Sequence, residues 1–151
     1  IPQAEAKGHI ARFFQAYPKV GPFLEGLVAE ARRTGYARTL LGRRRPLGPA
    51  GNGLAMAGSA GSAERNAINT PIQGSAADLI KLAMLRLHAA WQVGDLPAEM
   101  IIQIHDELVF EVDERDADRA AGVVREIMEG VGDLRVPLRV DVTAGRNWGE
   151  I

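Results

Sequence analysis

Met100-Ile101-Ile102-Gln103-Ile104-His105-Asp106-Glu107-Leu108-Val109-Phe110-Glu111-Val112 is two short apolar runs parted by three ionisable residues. Each run has the length and the branched or aromatic content of a β-strand. Nearly continuous apolar runs predict strands buried on both faces. The polar interruption predicts a tight antiparallel hairpin. Tight turns favour Asn-Gly or Asp-Gly, because they need positive φ, so His105-Asp106 is a poor choice for the turn's own sake. A residue kept against local preference points to function or strain. These three residues alone leave a plain turn equally open.

Downstream, Asp113 is placed to cap a helix over 115–130 with Ala120, Val123, Val124, Ile127 and Met128 inward. Leu138, Val140 and Val142 then alternate with Arg139, Asp141 and Thr143, the pattern of a half-buried strand. Strand-strand-helix-strand is half of a ferredoxin-like layer, so the fold class is α+β. Upstream, residues 63–91 predict one long helix with a broad apolar face, kinked at Pro71 and closed by Gly94 to Pro97.

Residues 46–62 are rich in Gly, Pro, Ala and Ser, include Asn52-Gly53 and have no stable period. They predict a loop and the best internal boundary. The chain is therefore divided into residues 1–62 and 63–151. Before the loop, Pro2 fits the first position of a helix over 3–16 with an apolar stripe of Ile10, Phe13, Phe14 and Tyr17. A second helix follows from Pro22, with Phe23, Leu27, Val28 and Ala31 on one face and Gly35 as its C-cap. Residues 36–41 alternate weakly, as a short strand would, and Gly42 and three arginines follow.

The 151 residues are 46% apolar and 25% charged, which is ordinary for a globular domain. There is no cysteine, so disulfides and thiolate metal sites are excluded. No apolar run approaches the roughly 20 residues of a membrane span, and no signal peptide is seen. A cytoplasmic location is expected. The first residue is Ile1, so a processed chain or a piece of a longer one is expected. The net charge of −1 hides a division: residues 32–48 hold six arginines and no acid, while residues 95–118 hold nine acids and one arginine. The basic segment suits phosphates; the acidic one suits metal ions or a solvated face.

Asp106 and Glu107 are hard oxygen ligands of the kind Mg²⁺ takes, and a hairpin holds them more rigidly than a loop would. Two-metal phosphoryl transfer uses carboxylates that bridge ions about 4 Å apart. The hairpin supplies one or two of those ligands, so a further carboxylate must come from elsewhere. Arg65, Asn69 and Gln73 recur every four residues and form one polar stripe on the long helix. All three donate hydrogen bonds, and every base pair offers acceptors in the minor groove. A solvated face is the competing reading, although such faces usually carry Lys and Glu rather than amides. Tyr36, Arg43 and Arg44 stand in the basic segment, where arginine clamps phosphates bidentately. His88, Trp91 and Trp148 read as packing residues.

Three ordered blocks, at matching separations, resemble family A DNA polymerases of the bacterial DNA polymerase I type. They are Gly35-Tyr36-x-x-Thr39-Leu40-x-Gly42-Arg43-Arg44, Glu64-Arg65-x-x-Ile68-Asn69-x-Pro71-x-Gln73-Gly74-x-Ala76-Ala77-Asp78, and Gln103-x-His105-Asp106-Glu107-Leu108-Val109. The ending from Val136 to Trp148 is similar as well. The resemblance covers essentially the whole chain. It implies the C-terminal part of a polymerase palm, with its catalytic hairpin, preceded by helices next to the fingers. It also implies primer-template DNA and deoxynucleoside triphosphates as partners, two Mg²⁺ ions as cofactors, and roles in replication and repair. By resemblance, Asp106 is a metal carboxylate, Glu107 its supporting acid, and His105 a neighbour of the primer terminus. Arg65, Asn69 and Gln73 are similar to positions that touch the duplex. Tyr36, Arg43 and Arg44 belong to the segment linking fingers and palm. The second metal aspartate and the helix that grips the triphosphate lie upstream of Ile1 in that family. The missing upstream part of the same polymerase is therefore an expected partner, and the isolated chain is expected to be inactive. Residues 46–62 depart from the family's more charged stretch.

Overall fold

The computed structural model describes residues 2–48 and 60–150. They fall into two compact units, Ile1–Ser75 and Ala76–Ile151, each with its own core.

In the first unit, α1 (Gln3–Ala16) and α2 (Val20–Thr34) are the two expected helices. Pro2 is the N-cap of α1 rather than its first helical residue, with extended backbone at φ −59° and ψ 144°. Pro22 likewise stands inside α2, which opens at Val20. α1 buries none of its residues. Its stripe packs mainly on itself: the Phe13 ring lies 5.5 Å from Phe14 and 5.1 Å from Tyr17. Phe23 is exposed, so the inner face of α2 is Val28 and Ala31. Gly35 ends the helix in the left-handed region at φ 78°, and its N–H donates to the Ala31 carbonyl at 2.8 Å.

The arginine run is not the plain continuation it seems. β1 (Tyr36–Arg38) pairs antiparallel with β2 (Arg44–Pro46), in register Tyr36↔Pro46, Ala37↔Arg45 and Arg38↔Arg44. Ala31, Ala37, Leu47 and Ala67 close a small core beneath this hairpin. Of the predicted loop, Pro46 belongs to β2 and residues 60–62 to the next helix; residues 49–59, with the Asn52-Gly53 turn, lie outside the described residues. The long helical signal resolves into α3 (Ala60–Asn69), a π turn (Thr70–Gly74) and α4 (Ser75–Gln92). Pro71, which has no N–H to give an α-helical ladder, sits inside the π turn.

In the second unit, α4 runs into β3 (Glu99–Ile104) and β4 (Glu107–Glu111), the expected hairpin, with a bulge between Met100 and Ile102. A 3₁₀ turn (Glu114–Asp116) precedes α5 (Ala117–Glu129), so the helix starts two residues later than predicted, and Asp113 makes no side-chain cap. Ala83, Leu87, Leu96, Ala98, Ala120, Val124 and Val131 form the core, with Leu108, Phe110 and Val112 packed against it. The strands are not buried on both faces. Leu108 and Phe110 face the core, while Ile101 and Ile102 are 50% and 40% exposed.

Residues 138–142 are not a strand. Their alternation of half-buried and exposed residues persists, yet no ladder forms. The backbone of Val140 is bonded by α5 side chains instead: its N–H donates to Glu129 Oε1 at 3.1 Å, and Arg125 Nε donates to its carbonyl at 3.4 Å. Alternation records which side is covered; a strand also needs a neighbouring backbone.

Candidate functional site

The β3–β4 turn is tight. Ile104 pairs with Glu107, leaving His105 and Asp106 as a two-residue loop. His105 has φ 53°, and among the described residues it is the one non-glycine with positive φ. That conformation costs about 1–2 kcal/mol for an L-residue, although His tolerates it better than most. Gln103 steadies the turn, its Nε2 donating to the His105 carbonyl at 2.8 Å. The turn was legible as an unusual choice of residues; the contribution of Gln103 was not, because an exposed amide within a strand carries no signal of its own. Replacing His105 with glycine should give a protein about 1 kcal/mol more stable than His105→Ala. Urea unfolding of the two variants checks this.

His105, Asp106 and Glu107 are all exposed. Two carboxylates on consecutive residues of a rigid turn match Mg²⁺ in donor chemistry. They do not complete a cage: among the described residues no three His, Asp or Glu side chains gather around a common point.

Arg65, Asn69 and Gln73 are exposed as well. Arg65 and Asn69 lie on α3, and Gln73 lies in the π turn. The basic segment is a worked surface rather than a row of solvated arginines. The Arg44 guanidinium carbon sits 4.7 Å from the centre of the Tyr36 ring, a cation–π contact. Arg43 Nη2 donates to the Gly74 carbonyl at 3.3 Å, and Arg45 Nη1 donates to Thr70 Oγ1 at 3.4 Å. Arg38 is 3.9 Å from Glu30, and Arg32 pairs with Glu64. All of these ion pairs are exposed and add little to stability singly. Arg38 and Arg44 stand directly opposite each other across the hairpin, an arrangement of like charges that is unfavourable in itself.

Thr39 and Gly74 stood in the sequence only as members of the family blocks, and Ser75 not at all, yet the three join the basic hairpin to the π turn. Leu40 N–H donates to Ser75 Oγ at 2.8 Å, and Ser75 Oγ–H donates to the Pro71 carbonyl. The available signal was Gly74 itself, a lone glycine in a helical run, which costs about 1 kcal/mol against alanine unless packing requires it. Trp148 is 53% exposed and anchors no core. Among the described residues no helix is long and apolar enough to cross a membrane.

Similarity to known proteins extends over nearly the full length of the chain. Residues 1–150 match the model of DNA polymerase family A. The chain is 48% identical over 148 residues to a thermostable DNA polymerase I of Thermus thermophilus, covering 98% of this chain and 17% of that protein. It is 43% identical over 148 residues to the DNA polymerase I of Bacillus caldotenax, again covering 98% of this chain and 17% of the relative. Among solved structures it is similar to the POL domain of Pol1 from M. smegmatis, in complex with DNA primer-template and dNTP. The TM-score there is 0.88 at 40% identity, covering 99% of this chain and 26% of that one. The chain thus spans about a sixth of the length of these curated relatives. A family match over residues 1–150, together with a relative 48% identical over 98% of the chain, gives one conclusion: this chain belongs to DNA polymerase family A.

Proposed function

We propose that this chain is the palm-bearing segment of a DNA-directed DNA polymerase, which adds deoxynucleotides to a primer 3′ end. The observation that carries the reading is the β3–β4 tip, where Asp106 and Glu107 follow a residue held in left-handed backbone. Strain of this kind is concentrated at functional sites. In this reading residues 63–151 belong to the palm and residues 1–62 to the helices and basic segment beside the fingers.

Asp106 and Glu107 would hold Mg²⁺ together with a carboxylate from outside this chain. When bound, such ions polarise phosphoryl oxygens and neutralise the charge that develops on them. The residues of this chain then do the positioning. His105 stands beside the primer terminus. Arg65, Asn69 and Gln73 donate into the minor groove, where acceptors are present whatever the sequence. Tyr36, Arg43 and Arg44 hold the nucleic acid near the backbone. The unburied face of α1, with Phe13 49% exposed, is covered by the upstream part of the same polymerase; this chain matches 17% of the length of the Thermus thermophilus relative. Without that part the chain is a duplex-holding module with an incomplete metal site.

A chimera tests this, with this chain replacing the matching segment of the Thermus thermophilus polymerase. It should extend a primer on a template. Arg65→Ala should weaken its affinity for primer-template about tenfold, the worth of one good polar contact to a base edge. An inactive chimera that folds and still binds duplex would favour a binding module without chemistry.

A further inference from the structure

We infer that the π turn at Thr70–Gly74 is a positioning device: locked by the β1–β2 hairpin, it brings Gln73 into line with Arg65 and Asn69. The inference rests on the reading of those three side chains as the duplex-facing stripe.

In α geometry a step of four residues overshoots one full turn by about 40°. Two such steps from Arg65 would carry Gln73 about 80° around the helix, away from the line of Arg65. The step from Asn69 to Gln73 instead crosses the π turn. There the bonds run i→i+5, each turn holds more residues, and a step of four falls short of a full turn. The undershoot cancels the earlier overshoot. A flat array of three donors results, as a groove that runs past one face of a helix requires.

A π turn is rare, and something must hold it. Here the hairpin does so with three hydrogen bonds. Leu40 N–H donates to Ser75 Oγ at 2.8 Å, Arg43 to the Gly74 carbonyl at 3.3 Å, and Arg45 to Thr70 Oγ1 at 3.4 Å. Ser75 also takes up the carbonyl of Pro71. Gly74 makes the approach possible. A Cβ at that position would meet Thr39 Cγ2 at 2.8 Å and Thr70 Cγ2 at 3.6 Å. Thr39 cannot yield cheaply: it is 6% exposed, and its Oγ1 accepts from Arg43 N–H at 3.0 Å. Its backbone is also tied, N–H to the Arg43 carbonyl at 2.9 Å and C=O to Gly42 N–H at 3.0 Å. Alanine at 74 must therefore push the hairpin and the turn apart. Gly74, Thr39 and Ser75 are positioning residues in this account; none of them touches the nucleic acid.

The test uses the chimera described above, with primer-template affinity read by fluorescence anisotropy and the melting temperature of each variant recorded. Gly74→Ala should weaken binding about tenfold, as if one stripe contact had been deleted. Thr39→Ser removes the obstructing methyl and keeps the hydroxyl. Alone it should leave affinity unchanged, and combined with Gly74→Ala it should restore affinity to within about twofold of the parent. Gln73→Ala and Arg65→Ala in the same assay separate the two levels of the reading. If they weaken binding while Gly74→Ala does not, or if Thr39→Ser fails to rescue, the positioning inference is overturned and the stripe survives. If neither weakens binding, the stripe and the inference fall together. Should Gly74→Ala not fold, Ser75→Ala takes its place, since it unties the hairpin without a clash. It should weaken binding about threefold, and unchanged affinity there would overturn the inference.

Discussion

Replacing Asp106 with alanine in the chimera abolishes primer extension, lowering kcat by about a thousandfold or more, while primer-template affinity changes by less than about threefold. The two halves of that result have separate causes. Asp106 is exposed at the tip of a two-residue turn and supports no core, so its removal leaves the fold of β3–β4 intact. Its carboxylate is also not among the donors assigned to the duplex. On the proposed reading a carboxylate ligand disappears, and among the described residues no cluster of three acidic or imidazole groups exists to take over. Single-turnover extension under saturating primer-template gives the rate, and anisotropy gives the affinity. Extension within tenfold of the parent would remove Asp106 from the catalytic set. A phosphodiesterase activity of this chain alone, lost in Asp106→Ala, would point to a hydrolase built on the hairpin instead.

The second large effect is on stability. Leu87→Ala destabilises the second unit by about 3 kcal/mol, within the 2–5 kcal/mol typical of a buried leucine truncated to alanine. Leu87 is 0% exposed, at the centre of a core built by α4, α5 and the inner face of the hairpin. In a unit of this size the melting temperature falls by about 10 °C or more. Phe13→Ala serves as the contrast. It deletes a larger side chain from an unburied helix face and should cost this chain about 1 kcal/mol or less. Thermal unfolding of this chain followed by circular dichroism checks both. Equal losses at the two positions would mean that α1 is packed in solution after all.

Most of the architecture was legible because it is written in periodicity. α1, α2, α5 and the hairpin sit within about two residues of where their apolar spacing puts them. The failures share a cause, which is that periodicity reports coverage and not pairing. Arg44 and Arg45 look like a solvated run, because three consecutive charges erase the alternation a strand would show; their register with Arg38 and Ala37 exists only in three dimensions. Leu138, Val140 and Val142 show the alternation without the ladder, since side chains of α5 take the bonds. For the site, Asp106 and Glu107 stood out as charges interrupting an apolar run. The left-handed backbone of His105 could be anticipated from the scarcity of turn-forming residues there. The π turn could not: Pro71 announces a break in the ladder but not its kind.

Among the described residues, the buried cluster of the first unit is Ala31, Ala37, Leu47 and Ala67, with Val28 packed against it. Ala67 is 0% exposed and Ala31 only 1%. Where three of the four buried side chains are single methyl groups, a larger residue has little room, and overpacking costs about 1–3 kcal/mol per site. The second unit sets leucines and valines among its three buried alanines, and those larger side chains can exchange volume with their neighbours. As lineages diverge, the two halves of this chain should therefore change by different routes. The leucine-rich core can wander through compensated repacking. The alanine core can accept little but glycine or serine, so novelty in that half has to accumulate on its outer surface.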